Sequence, residues 1–528
     1  MNKSTLVFLS VFLFLFMSLG CDRGMHDSGL AFPGAGPAAG TAGQGTFTFG
    51  VSTASTQIED KNYDSDWYLW TGPKPGGMEK SEFVGDAVCG YTMAGSDLDL
   101  IDSLNMDAYR FSPSWSRIEP KRDKISGDAL KHYASLLEAM KARGIKPMIT
   151  VHHFSSPVWI DDPRRTGPCE QGPTDQDLCG LEDPVGRQEV IDEMAEYAGL
   201  LAKQYGKYVD EWCTLNEPFN YLLAAYGAGI FPPGRTLLLG HFDEFVQVAK
   251  AYLDAHAAMY KAIKENDIWD ADGDGQAAIV GLTLSVAQWV PARNNQVSND
   301  PADIAARDRI IYVRHHLIPQ SLLDGTFDSD LDGKPDMDVP EWKGTLDFLG
   351  VQYYARMGVT SSPALISGLD LTPCAGGIDL GACVPPLDPT KWVPSMGYEY
   401  YEQGIYNVLS DFSSRWPDLP LVVTEAGLAT LSGQRRAQHL VRTLQQIHRA
   451  LEQGADVRGF YYWSLMDNFE WQEGYGPKFG LYSVDLDTCD RTATMGADVL
   501  SRIAGSRKVT GDMLDTMGGT GPMALEPE

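Results

Sequence analysis

Residues 211–218 read EWCTLNEP, and this stretch decides how the rest of the chain is read. Trp212 and Leu215 are strand-like and apolar, and the strand ends abruptly in Asn216 and Glu217, pinned by Pro218. A single strand that delivers two polar side chains at its exit proves nothing. Seven further apolar runs of similar length accompany it: TFTFGVS, MDAYRFS, KPMITVHH, AIVGLTLSV, DFLGVQYY, PLVVTEA and RGFYYWSL. Helical patterns separate several of them, such as DALKHYASLLEAMKARG with its glycine stop, and GQRRAQHLVRTLQQIHRALEQG. Near-continuous hydrophobic strands alternating with helices imply a parallel sheet covered on both faces. Eight of them predict an α/β fold, a single (β/α)8 barrel with long loops over residues 46–505. An open doubly wound sheet is the alternative, but no G-x-G-x-x-G follows the first run.

Chemistry on such a barrel belongs at the carboxyl ends of the strands. Those ends carry Gln57, Arg110, His152 and His153, Asn216 and Glu217, Tyr353 and Tyr354, Glu425, and Trp463 followed by Glu470 and Trp471. Glu217 and Glu425 end the fourth and seventh strands, which face each other across an eight-strand mouth. Opposed carboxyls are the minimum equipment for cleaving a glycosidic bond: one protonates the leaving oxygen while the other attacks or activates water. The two need different protonation states. An arginine and a tyrosine hydroxyl beside one glutamate would hold it ionised, whereas a less supported glutamate keeps its proton.

Composition narrows the field further. With 42 basic against 71 acidic residues the formal charge is −29, which repels phosphate backbones and excludes nucleic acid as a partner. The first residues are a targeting segment: Lys3, an apolar run too short for a comfortable span, and then MSLGC, with Gly20 before Cys21. Residues 1–21 therefore resemble a bacterial lipoprotein signal, although Ser18 stands where leucine is usual. A plain secretory signal cut nearby is the alternative. On the lipoprotein reading the protein is exported and held in the cell envelope by a lipid on Cys21, its membrane contact being the anchor alone. Asp22 after the lipidated cysteine hints at inner-membrane retention. Residues 22–45, rich in Gly, Ala and Pro, are expected to be a flexible linker, and residues 506–528 a loose tail.

Cysteine usage agrees with export. Cys169 with Cys179, and Cys374 with Cys383, are disulfide candidates within Gly/Pro-rich loops. Cys213 reads as a buried thiol, and Cys89 and Cys489 have no assignment. Outside the strand ends, DSDLDGKPD places Asp328, Asp330, Asp332 and Asp336 at calcium-loop spacing, though Val339 stands where the closing glutamate would be. A structural calcium there, apart from catalysis, is one reading, and Asp/Gly turn chemistry in an acidic chain is the other. DADGDG (Asp270, Asp272, Asp274) repeats the pattern more weakly.

Several motifs in order resemble glycoside hydrolase family 1, the β-glucosidase family. GVSTASTQIED is similar to its opening block with a sugar-binding glutamine, here Gln57. YRFSPSWSRIEP matches the block whose arginine, Arg110, supports the nucleophile, and HHFSSP the block with a sugar-binding histidine, His153. TLNEP aligns Glu217 with the acid/base and Asn216 with a sugar contact, and VVTEAG aligns Glu425 with the nucleophile. YYWSLMDNFEW resembles the closing block, with Trp463, Glu470 and Trp471 around the sugar, and GPKFGLYSVD places Phe479 on its C6 side. Tyr354 at the end of DFLGVQYY is a further substrate-binding candidate. The resemblance implies a retaining exo-β-glycosidase, most simply a β-glucosidase, needing no cofactor and taking an unphosphorylated β-glycoside. It leaves gluco-, galacto- and fuco-configured sugars and the oligomeric state open. A transglycosylase, or a sugar-binding surface protein with a weak site, are the other readings. Ala426 and Gln352 stand where the family has asparagine, which bears on the hydrogen bonding around the nucleophile and beneath the sugar.

Overall fold

The computed structural model describes residues 29–527 apart from 166, 168, 170–171, 239, 367 and 375–379. The signal segment and Cys21 lie outside these residues. Eight parallel strands, β1 (Thr48–Ser52), β2 (Ala108–Phe111), β3 (Lys146–His152), β4 (Glu211–Leu215), β5 (Ile279–Arg293), β6 (Phe348–Thr360), β7 (Leu421–Ala426) and β8 (Val457–Trp463), pair in sequence order. The pairing of β8 with β1, Gly459 opposite Thr48 through Trp463 opposite Ser52, closes the barrel. One long helix follows each strand, with short helical turns between some of them: α1 (Ala94–Ser103), α2 (Gly127–Arg143), α3 (Gly186–Tyr205), α4 (Phe242–Asn266), α5, α6 (Glu402–Arg415), α7 (Gly433–Glu452) and α8 (Met495–Ser506). Here α5 is three pieces in line, Pro301–Ile311, a π-helical turn Tyr312–His316, and Leu317–Asp324. The (β/α)8 expectation holds.

Local chemistry accounts for the element ends. α2 starts at Ser126, whose hydroxyl accepts from the Ala129 N–H, and stops at Gly144 in the left-handed conformation (φ 72°). β5 and β6 run 15 and 13 residues, past the rim of the barrel, and stay paired as far as Val359 opposite Pro291. They raise a wall on the side of the mouth where β4 ends.

Two expectations at the ends of the chain are corrected. The linker expected over 22–45 is packed structure from Leu30 onward. Leu30–Ala31 pairs with Lys508–Val509, Phe32 is 5% exposed among Phe47 and Phe49, and Ala38 and Ala39 lie in an apolar cluster with Met148, Cys213 and Tyr461 at the bottom of the barrel. Small residues let this segment enter the barrel's lower opening, a use of Gly and Ala that composition does not separate from a tether. The tail expected to be loose after 506 forms a helix, Gly511–Met517, with Met513 and Met523 buried. Arg442 on α7 donates to the carbonyls of Gly521 (2.6 Å) and Pro522 (3.0 Å), and Lys391 to that of Thr520 (2.8 Å).

Cys169–Cys179 and Cys374–Cys383 are bonded as expected. Cys89–Cys489, unassigned from sequence, is a third disulfide that ties the approach to α1 to the segment before α8, and Cys213 is the buried free thiol.

Candidate active site

β4 explains the opening question in backbone terms. Its last residues turn sharply, with Glu217 in the left-handed region (φ 42°, ψ 59°), a conformation that costs about 1 kcal/mol for a residue with a side chain. The Glu217 N–H is held by the Thr283 carbonyl (3.0 Å) and hydroxyl (3.2 Å) on β5. Pro218 then starts the helical turn Pro218–Tyr221, where a missing N–H costs nothing. The strained turn is thus held by a neighbouring strand.

Across the mouth, at the end of β7, Glu425 is 4% exposed. Arg110 from β2 donates to its Oε1 at 2.6 Å and the Tyr354 hydroxyl from β6 to its Oε2 at 2.8 Å. Arg110 is fully buried, and its other terminal nitrogen donates to Asn216 Oδ1 at 2.6 Å. That oxygen also accepts from the Thr283 hydroxyl (3.0 Å) and Gln352 Nε2 (2.9 Å). With its carbonyl so occupied, Asn216 turns its amide N–H2 outward as a donor. Gln352, the family departure on β6, therefore reaches the same asparagine with a longer amide.

The electrostatics separate the two carboxyls. Burial raises both above the ordinary carboxylate range, and for Glu425 the Arg110 charge and the Tyr354 hydroxyl oppose it. Glu217 is pushed up to about 8, first by burial and then by the charge of Glu425. Near neutral pH the favoured state of the pair is Glu425 ionised and Glu217 protonated, the division of labour that bond cleavage by acid and nucleophile requires. Glu470 is likewise raised to about 8 by burial and by Glu425.

The polar wall lies on the β1 and β8 side. Gln57, fully buried on the helical turn Ser55–Ile58, donates to the Phe469 carbonyl (2.8 Å), Asn468 Oδ1 (3.2 Å) and Glu470 Oε2 (3.4 Å). Its own Oε1 is buried without a protein partner, as is His153 Nδ1. Buried polar atoms left unpaired are costly unless a ligand completes them. The His153 ring stacks near Trp463 (6.0 Å, 29°) and Trp471 (5.9 Å, 26°), and burial with the Arg110 charge keeps it neutral. Its neighbour His152 is spent in the core, with ring nitrogens 2.7 Å from the Tyr252 hydroxyl and 3.1 Å from that of Ser156. Phe479 meets Tyr354 edge-on at 5.9 Å. Every sugar-contact and catalytic residue named from sequence is therefore in one mouth.

Two partners of this mouth had no place in the sequence reading. Asn220 donates to Glu217 Oε2 at 2.6 Å, and Arg314, on the π-helical turn of α5, donates to Asn220 Oδ1. Asn220 is three residues beyond Glu217 on a helical turn, a spacing that a search for i, i+3 pairs would find. Arg314 has no such signal.

The aspartate loop lies elsewhere. Asp328, Asp330 and Asp332 bring one carboxylate oxygen each within 4.8 Å of one another, while Asp336 turns aside to accept from Ser329 N (2.8 Å) and Oγ (2.7 Å). The three already accept the loop's own N–H groups, as when Asp328 takes Gly333 N at 2.7 Å. Asp274 of the second acidic turn does not converge, and Asp270 and Asp272 gather instead with Asp210.

A closed parallel barrel whose carboxyl ends hold two opposed glutamates, one of them bonded by an arginine and a tyrosine hydroxyl, inside an aromatic and polar cup, defines an enzyme of the glycosidase class. Comparison with known proteins makes the family definite. The sequence profile of Glycosyl hydrolase family 1 matches residues 43–508, and the chain belongs to that family as an O-glycosyl hydrolase of the retaining β-glycosidase type. It is 27% identical over 493 residues to a beta-galactosidase of Pyrococcus woesei, covering 84% of this chain and 93% of that one. It is also 27% identical over 481 residues to a putative beta-glucosidase of Arabidopsis thaliana, covering 83% and 84%. A beta-glycosidase from Pyrococcus horikoshii superposes with a TM-score of 0.74 at 28% identity, over 91% of this chain and 98% of that one. Such enzymes need no cofactor for catalysis.

Proposed function

We propose that the chain is an exo-acting retaining β-glucosidase with Glu425 as nucleophile and Glu217 as acid/base. In the first step a Glu425 oxygen bonds to the anomeric carbon, the glycosidic C–O bond breaks, and the Glu217 proton passes to the leaving oxygen. In the second, water attacks that carbon, its proton returns to Glu217, and Glu425 is released. Arg110 and Tyr354 stabilise the carboxylate that leaves. Gln57, His153, Asn216 and Glu470 bind sugar hydroxyls, while Trp463, Trp471 and Phe479 supply stacking and closing surfaces. The observation that carries this reading is the asymmetry of the pair: Arg110 and Tyr354 both serve Glu425. The DNFEW form of the closing block supports an unphosphorylated sugar.

The deciding experiment treats the enzyme with a 2-fluoro-2-deoxy-β-glucoside carrying a good leaving group and maps the peptides by mass. A stable adduct on Glu425 is expected. No adduct with the glucosyl probe but one with the galactosyl or fucosyl analogue would move the sugar assignment. No adduct with any of them on folded protein would overturn the nucleophile and leave a sugar-binding surface. We also place the protein in the cell envelope through a lipid on Cys21, a reading that fails if Cys21→Ser leaves its membrane fraction unchanged.

A further inference from the structure

The acid/base reading leaves a question that the donor and acceptor inventory answers. A glutamic acid can carry its proton on either oxygen, and only one of them faces the leaving group. Arg314 has donors and no acceptor, so the Asn220 atom that meets it must be the carbonyl oxygen. The Asn220 NH2 must then face Glu217, where it donates to Oε2 at 2.6 Å. Oε2 is thereby committed as an acceptor, and the proton belongs on Oε1. The guanidinium lies over the rings of Phe219 (5.6 Å) and Trp289 (5.9 Å), its Nε is buried without a partner, and the carboxyl charge it feels is that of Glu217.

We propose that Arg314 is a positioning residue for the acid/base: through Asn220 it dictates which oxygen of Glu217 carries the proton and lends positive charge to the carboxylate left after proton transfer. The proposal rests on the acid/base assignment of Glu217. It gives α5 a part in chemistry performed at the end of β4. The groups that face Glu217 act in both directions. Glu425 across the mouth raises its pKa, while Asn220, Arg314 and the Ser285 hydroxyl on β5 lower it. Glu470 and Tyr354, farther around the cup, feel its charge in turn. Without Arg314, Asn220 is free to turn its carbonyl toward Glu217 and hold the proton on the wrong oxygen.

The test compares wild type, Arg314→Met, Arg314→Lys and Asn220→Ala. Glutamate labelled with 13C at the carboxyl gives the Glu217 titration directly, assigned with Glu217→Gln, whether or not the preferred sugar is known. The Met variant is expected to titrate about one pH unit higher, because an opposite charge has been removed, and the Lys variant to return most of that shift. In turnover, the alkaline limb of kcat/KM should move up with it. kcat/KM should fall about tenfold for glycosides of poor leaving groups and less than about twofold for a dinitrophenyl glycoside, which needs little acid. Asn220→Ala should reproduce the pattern, and the double variant should add little to it. An unmoved Glu217 titration in both single variants would overturn the proposal. So would an equal loss for all leaving groups, the mark of a merely structural role.

Discussion

Two glutamates six positions apart, one opening a strand and one just past its end, have opposite fates. Glu211 opens β4 at the lower end of the barrel, where its Oε1 accepts from the Ala38 N–H at 2.9 Å and from Lys146 Nζ at 3.3 Å. Glu217 follows the other end, with an amide as its nearest donor and a second carboxyl across from it. The lower opening is filled by Ala38 and Ala39, so its charges are paired and its space is used. The upper opening leaves Gln57 Oε1 and His153 Nδ1 buried and unpaired around an uncompensated acid. A carboxyl is made structural by being satisfied and reactive by being left short of partners.

The comparison breaks most visibly at Glu217. Glu217→Gln should lower kcat/KM for poor leaving groups by about 10^3-fold and remove the alkaline limb of its pH profile. The sign follows from the direction of the shift. The acid is active when protonated, so with its pKa raised to about 8 wild-type activity persists through neutrality and falls as pH rises past that value. A limb that survives the substitution would assign it to another group, of which Glu470 is the nearest candidate.

The same substitution at the other end should do the reverse. Glu211→Gln weakens the charged contacts with Lys146 and Ala38 and should cost about 2 kcal/mol in urea unfolding, with kcat/KM unchanged. A change in kcat/KM comparable to that of Glu217→Gln would mean that the two ends are coupled through the barrel. The smallest effect is expected from EDTA. The carboxylate clusters among the described residues, at Asp210, Asp270 and Asp272 and at Asp328, Asp330 and Asp332, include neither Glu217 nor Glu425. Chelation should therefore leave kcat/KM unchanged. Any calcium effect at the Asp328 loop should appear only as a change in Tm, since an ion there would bind the folded loop.

What was legible in the sequence is what local pattern encodes. The eight strands were visible because strands covered on both faces are apolar throughout. The site residues were visible because the carboxyl end of such a strand is where polarity begins, so Gln57, Arg110, His153, Glu217, Glu425, Trp463 and Glu470 could be named from position and motif. The errors fall where composition is ambiguous. Gly, Ala and Pro suit a tether and equally suit the narrow opening that Ala38 and Ala39 enter, and only the surrounding residues decide between the two. The tail is polar enough to read as loose until Arg442 and Lys391 are seen to hold its carbonyls.

By itself, then, the sequence determined the barrel, the two candidate glutamates and the end of the barrel at which both stand, since these depend on residues close together in the chain or on order alone. The tertiary structure decided which carboxyl is supported as an anion. That depends on Arg110 reaching Glu425, a contact over 315 positions in the chain, while Arg314 meets Asn220 over 94. It also decided that Cys89 pairs with Cys489 across 400 positions and that the chain's two ends are packed parts of the fold. The reason is that electrostatic and hydrogen-bonding energies fall off with distance in space, whatever the separation along the chain.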